Sequence, residues 1–200
     1  NLPPHANFSY SPSKPTDLDM IIFNASSSYD SDGIIVNYTW DFGDGNISYG
    51  IIANHIYSDD GEYNVTLIVR DDDGSIDSIK KEIFIANVPP IANFSWQPIN
   101  PKINETIYFN STSYDLDGII VNYTWNFGDG NISYGASVIH KYMKDGEYNV
   151  TLIVRDDDGS IDTKIFSVKI RKEKKMVGFE ILLLVIAFLF LLYRKDKLTL

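Results

Sequence analysis

Cysteine is absent from the 200 residues, which removes disulfide frameworks, thiolate metal sites and thiol nucleophiles together. Each folded unit must therefore hold through packing and hydrogen bonding alone. Positive charge is scarce as well: residues 1–170 carry 10 Lys and Arg against 24 Asp and Glu, whereas residues 171–200 carry 7 against 3. An acidic body repels phosphate backbones and argues against nucleic-acid partners, while a basic tail suits lipid headgroups. No helical period is present before residue 171. The chain opens at Asn1 with neither Met nor an apolar leader, so no signal peptide is read and a fragment or processed chain is expected.

What is present is repetition. Ser28–Gly50, SYDSDGIIVNYTWDFGDGNISYG, returns at Ser113–Gly135 with two changes, and Asp60–Asp77 returns unchanged at Asp145–Asp162, an offset of 85 residues. That period exceeds solenoid repeats and fits duplication of a whole domain. The expected organisation is a first module over residues 1–86, a proline-containing linker over 87–90, a second module over 91–170, a basic segment over 171–175, an apolar span over 176–193 and a short tail over 194–200.

Period-two alternation dominates inside each copy. Ile34, Val36, Tyr38, Trp40 and Phe42 are expected on one face of a strand, with Ile35, Asn37, Thr39 and Asp41 on the other. Asp-Gly and Gly-rich turns recur about every ten residues, the rhythm of short antiparallel strands in a sandwich. Trp40 and Trp125 fall on the apolar face and read as core, whereas Tyr49, Tyr134 and Trp96 read as surface aromatics.

At these residues a resemblance can be named. Trp40-Asp41-Phe42-Gly43-Asp44-Gly45 followed by His55 and Gly61-Glu62-Tyr63, repeated as Trp125-Asn126-Phe127-Gly128-Asp129-Gly130 with His140, resembles the PKD (polycystic kidney disease) domain. The resemblance implies an all-β chain of two tandem immunoglobulin-like sandwiches. It also implies extracellular modules that act as spacers or as protein- and polysaccharide-binding units. Asn126 departs from the Asp usual in the family.

The candidate chemistry is limited. Asp30, Asp32 and Asp73, with Asp115, Asp117 and Asp158, are hard oxygen ligands on neighbouring turns, and PKD domains of secreted collagenases bind calcium near such loops; calcium is the one cofactor in question. Asp-Gly pairs equally serve turn geometry. Paired carboxylates without a cleft do not make a glycosidase, no Gly-x-Ser-x-Gly elbow supports a serine nucleophile, and His55 and His140 read as structural. No enzymatic site is expected.

Eleven of the sixteen asparagines stand in Asn-x-Ser/Thr: Asn7, Asn24, Asn37, Asn46, Asn64, Asn93, Asn104, Asn110, Asn122, Asn131 and Asn149. Chance predicts about two at this Ser and Thr content, so a glycosylated extracellular surface is expected. Met176–Tyr193 is apolar but for Glu180, and at a rise of 1.5 Å per residue eighteen helical residues span about 27 Å, a single membrane crossing. Gly178-Phe179-Glu180, the apolar run and Arg194-Lys195 also resemble an archaeal PGF-type sorting signal, with Val177 in place of Pro. The expected protein is a single-pass cell-surface stalk or adhesion segment with residues 1–170 outside; the alternative is the accessory end of a secreted or surface-bound hydrolase.

Overall fold

The computed structural model describes residues 1–173 together with Val185 and Ile186. Residues 1–173 form two β-sandwiches. In the first, β1 (Ser9–Ser11), β2 (Ile21–Asn24) and β5 (Ile52–His55) make one sheet, and β4 (Ile47–Tyr49), β3 (Ile35–Asp41), β6 (Gly61–Asp71) and β7 (Ile76–Ile85) make the other, each in the order given. The second repeats the plan: β8 (Phe94–Gln97), β9 (Ile107–Ser111) and β12 (Ser137–His140) face β11 (Ile132–Tyr134), β10 (Ile120–Asn126), β13 (Gly146–Asp156) and β14 (Ile161–Ile170). All these strand pairings are antiparallel. The all-β, twice-repeated plan expected from the sequence is the one observed. The membrane-crossing helix expected over 176–193 lies outside the described residues.

Each core follows from alternation on the inner faces. Trp40, Leu67, Val69, Phe23 and Ile21 are fully buried between the sheets of the first module, as are Trp125, Leu152, Val154, Phe109 and Ile107 in the second. The tryptophan is central. Phe8 meets the Trp40 ring edge-on at 5.2 Å, and its indole N–H donates to the Gly50 carbonyl at 2.8 Å, which satisfies the one polar atom that burial would otherwise strand.

Alternation along β3 differs from the expected register at its start. Ile34 and Val36 are exposed and Ile35 packs against the core. The cause is a β-bulge: pairing with β6 slips between Ile35 and Asn37, and one extra residue exchanges the two faces. The same bulge falls between Ile120 and Asn122. Trp96 also differs, because Phe94 and Phe166 flank its ring at 6.1 and 5.8 Å and leave it half-buried. Tyr49 and Tyr134 are exposed, at 69% and 71%.

After the last strand of each module the chain is held against the β1–β2 or β8–β9 connection. Ala86 N–H donates to the Pro15 carbonyl at 2.9 Å, and Arg171 N–H to the Pro101 carbonyl at 3.0 Å, each beside a parallel bridge, Thr16 to Ala86 and Lys102 to Arg171.

Candidate functional site

Two places in each module gather polar side chains. The first is the Gly-Asp-Gly turn after β3. Asp41 Oδ1 accepts from Gly43 N–H at 2.9 Å, and Asp44 Oδ1 accepts from Asn46 N–H at 3.0 Å, so two carboxylates shape the turn. Gly43 holds φ +81°, and a Cβ on it would lie 2.8 Å from the Asn64 carbonyl oxygen of β6. Only glycine fits that approach. The remaining oxygen of Asp44 faces His55 Nε2 at 2.6 Å, His55 stacks flat on Phe42 at 4.1 Å, and the Tyr57 hydroxyl donates to the Phe42 carbonyl at 2.9 Å. Burial works against ionisation of Asp44, but the hydrogen bonds from Asn46 and His55 outweigh it and hold the pKa below the usual carboxylate range.

In the second module Gly128, Asp129, Gly130, Phe127, His140 and Tyr142 repeat these contacts, with His140 Nε2 2.8 Å from Asp129 Oδ2. Asn126 stands where Asp41 does and accepts the same Gly128 N–H at 2.9 Å through its amide oxygen. The departure therefore keeps the turn. These histidines tie a turn to a strand end, and their neighbours are the turn carboxylate and two aromatic rings.

The second place is the end of each module that receives the incoming chain. Asp71 and Asp156 are almost wholly buried. Asp71 accepts from Ser75 N–H at 2.7 Å and Asn1 Nδ2 at 3.0 Å; Asp156 accepts from Ser160 N–H at 2.6 Å and Asn87 Nδ2 at 2.9 Å. Asp32 accepts Leu2 N–H, at 3.0 Å through Oδ2, and Asp117 accepts Val88 N–H at 2.7 Å. Against burial, the donors from Asn1, Ser75 and Gly74 hold the Asp71 pKa low. Each module thus grips the two residues that lead into it.

Of the residues singled out for calcium, the structure groups Asp30 with Asp32 and Asp115 with Asp117, but not with Asp73 or Asp158. Asp72 and Asp157 stand nearer: a Cβ on Gly33 would meet Asp72 Oδ1 at 2.5 Å and Asp30 Oδ2 at 2.9 Å, and one on Gly118 would meet Asp157 Oδ1 at 2.5 Å and Asp115 Oδ2 at 3.5 Å. Asp73 is exposed on the β6–β7 turn. Sequence reasoning also missed Asp71, Asp156, Asn1 and Asn87. Their signal was available: the first Asp of each Asp-Asp-Asp-Gly run ends the inward alternation of β6 and β13, and Asn stands at the same distance before both modules.

Four carboxylate or amide oxygens at these ends are buried and have no hydrogen-bond donor: Asp30 Oδ2, Asp115 Oδ2, Asp117 Oδ1 and Asn87 Oδ1. Buried oxygen acceptors without donors are a poor end state for a fold and a good ligand set for a hard cation. Oxygen atoms of this kind are the ligand type that calcium takes.

The junction between modules adds further carboxylates. Asp59, Asp60 and Asp158 each bring an oxygen within 4.8 Å of the others. Burial and the facing Asp117 push Asp17 up to about 6, and Asp158 is likewise pushed up to about 6 by burial and by Asp60, Asp157 and Asp59. Asp117 itself is held low: burial opposes ionisation, but Val88 N–H and the Asp115 carboxyl stabilise its charge.

Two glycine-turn locks, two gripping ends and the doubled sandwich define a tandem β-sandwich protein. The family model for the PKD domain matches residues 1–85 and again 87–170. The chain belongs to the PKD domain family. Among known proteins it is 34% identical over 149 residues to the pre-pro-metalloprotease PrtV of Vibrio cholerae, covering 74% of this chain and 16% of that protein. It is 45% identical over 73 residues to the collagenase ColA of Clostridium perfringens, covering 36% of this chain and 7% of the collagenase. The solved PKD1 domain of the Vibrio cholerae metalloprotease superposes with a TM-score of 0.38 at 37% identity, covering 42% of this chain and 98% of that one. The chain spans less than a fifth of the length of either relative.

Proposed function

We propose that this chain is the accessory, non-catalytic region of a larger secreted or surface-bound hydrolase, in which the two modules space a catalytic part from the extracellular protein or polysaccharide it works on. The observation that carries this reading is the alignment across both modules to a metalloprotease, joined by alignments to collagenases. The complete reading frame tests it. A hydrolase domain before Asn1 is expected, and a frame that encodes none overturns the proposal.

A second reading, a membrane-anchored stalk or adhesion segment, is favoured by the apolar run Met176–Tyr193 with Arg and Lys on both sides. Here residues 1–170 lie outside the cell and the run anchors them, or is exchanged for lipid at the sorting signal. Fractionation with mass measurement of the C-terminal peptide tests it; recovery of the intact chain in the soluble fraction alone would rule it out.

In either setting calcium is the cation the modules are suited to take. Asn87, Asp115 and Asp117 would hold it in the second module and Asp30 in the first, where it would neutralise carboxylates that otherwise repel. Asp117 also clamps the incoming Val88 N–H, and a cation would let it do so without repulsion from Asp115.

A further inference from the structure

We infer that the outer face of the four-stranded sheet is a glycan-bearing face in both modules, with Asn37 and Asn64, and Asn122 and Asn149, as the modified residues. The inference rests on the extracellular setting of either reading above and ranks seven of the eleven sequons by what the fold leaves free. An N-linked glycan replaces one hydrogen on Nδ2 and leaves Oδ1 able to accept, so a sequon tolerates it when Asn is exposed and its Nδ2 is not needed.

These four asparagines are exposed, and each stands on a strand with its hydroxyl partner two residues on, so both side chains emerge on the same face. Asn37 Oδ1 accepts from the Thr39 hydroxyl at 3.0 Å, Asn122 Oδ1 accepts from Thr124 at 3.0 Å, and among the described residues no hydrogen bond engages Nδ2 of the four. Three other sequons differ. Asn46 Nδ2 donates to Asp44 Oδ2 at 2.9 Å within the glycine-turn lock, the Asn131 side chain helps hold Asp129 in the same way, and Asn110 Nδ2 donates to the Ser111 carbonyl at 3.2 Å. A glycan there would compete with a contact of the folded module.

The face carries a second mark. Asn37 pairs with Arg70, and Asn64 lies six residues along β6, about 20 Å away at strand rise. Between them run two cross-strand rows that contain Tyr49, Ile68 and Ile47, all exposed, and the second module repeats them with Tyr134, Ile153 and Ile132. The exposed tyrosine and isoleucines, set among Thr39, Asp41 and Thr66, are apolar surface that a cover would shield. A pyranose has an apolar C–H face that lies well on a tyrosine ring, and both attachment points flank the rows, so the chain's own glycans are the cover.

The test is secretion of the full chain from a host that attaches N-glycans, followed by glycan removal in heavy-oxygen water and peptide mass mapping. Higher occupancy at Asn37, Asn64, Asn122 and Asn149 than at Asn46, Asn110 and Asn131 is expected; any other ranking overturns the site assignment. Nitration with tetranitromethane reads the cover, with Tyr49 and Tyr134 expected to react several-fold more slowly before glycan removal than after. Equal rates overturn the covering role. Either failure leaves the accessory-region reading standing, because that depends on the upstream reading frame.

Discussion

His55 Nε2 lies 2.6 Å from Asp44 Oδ2, with the imidazole stacked flat on Phe42. The pair links the turn between β3 and β4 in one sheet to the end of β5, an edge strand of the other. Because the bonds it accepts depress the Asp44 pKa, the unfolded chain takes up a proton there before the folded one does. Stability from this pair is therefore complete above the unfolded carboxylate pKa of about 3.9 and is lost as pH falls through the lower folded value. Urea midpoints measured from pH 2.5 to 6 should fall on that acid limb, and Asp44→Asn should flatten it while costing about 1–3 kcal/mol at pH 6.

Asn126→Asp should be nearly silent. The side-chain oxygen that accepts Gly128 N–H is present in either residue, as Asp41 shows. A change within about 0.5 kcal/mol is expected in the denaturant midpoint of the second module. A larger loss would mean that the turn senses charge as well as acceptor geometry.

Much of this was legible in the strand pattern. Trp40 and Phe42 alternate into the core, and the glycine turn could be read from Gly43-Asp44-Gly45. Ile34 and Val36 could not be placed, because a bulge changes facing without changing composition. Trp96 was misread because the ring that covers it, Phe166, comes from a strand seventy residues on. Asp73 was favoured over Asp72 for want of knowing which side of the turn faces Asp30.

Calcium removal tests the gripping ends. With calcium at about a hundred times its dissociation constant, linkage predicts about 2.7 kcal/mol of added stability, enough to move the melting midpoint of such a domain by about 10–20 °C. EDTA should reverse that shift. Asp115→Asn with Asp117→Asn should abolish it in the second module and leave the first module's response. An unchanged midpoint on adding EDTA to wild type would eliminate calcium.

The junction should respond in the opposite pH direction. Asp17 is raised to about 6, so the folded chain holds a proton there that the unfolded chain has released. Whatever stability the Asp17–Asp117 approach lends is present below about pH 3.9 and is lost as pH rises through about 6. Asp17→Asn should remove Asp17's share of that loss, so its melting midpoint should decline less than that of wild type between pH 5 and 7.5, with Asp158 supplying the remaining decline. Identical profiles would show that the two modules do not meet through this carboxyl.

The parallel bridges at Thr16–Ala86 and Lys102–Arg171 bear on how the tandem carries load. Tension drawn along the chain enters a module at the residues gripped by Asp71 or Asp156 and leaves just after β7 or β14. The exit segment runs parallel to the connection that it bonds, so the Pro15–Ala86 and Pro101–Arg171 hydrogen bonds are strained in shear and not opened one at a time from an end. Force applied to the string would therefore meet a latch in series at every module, and each added copy would lengthen the tether without introducing a weaker link.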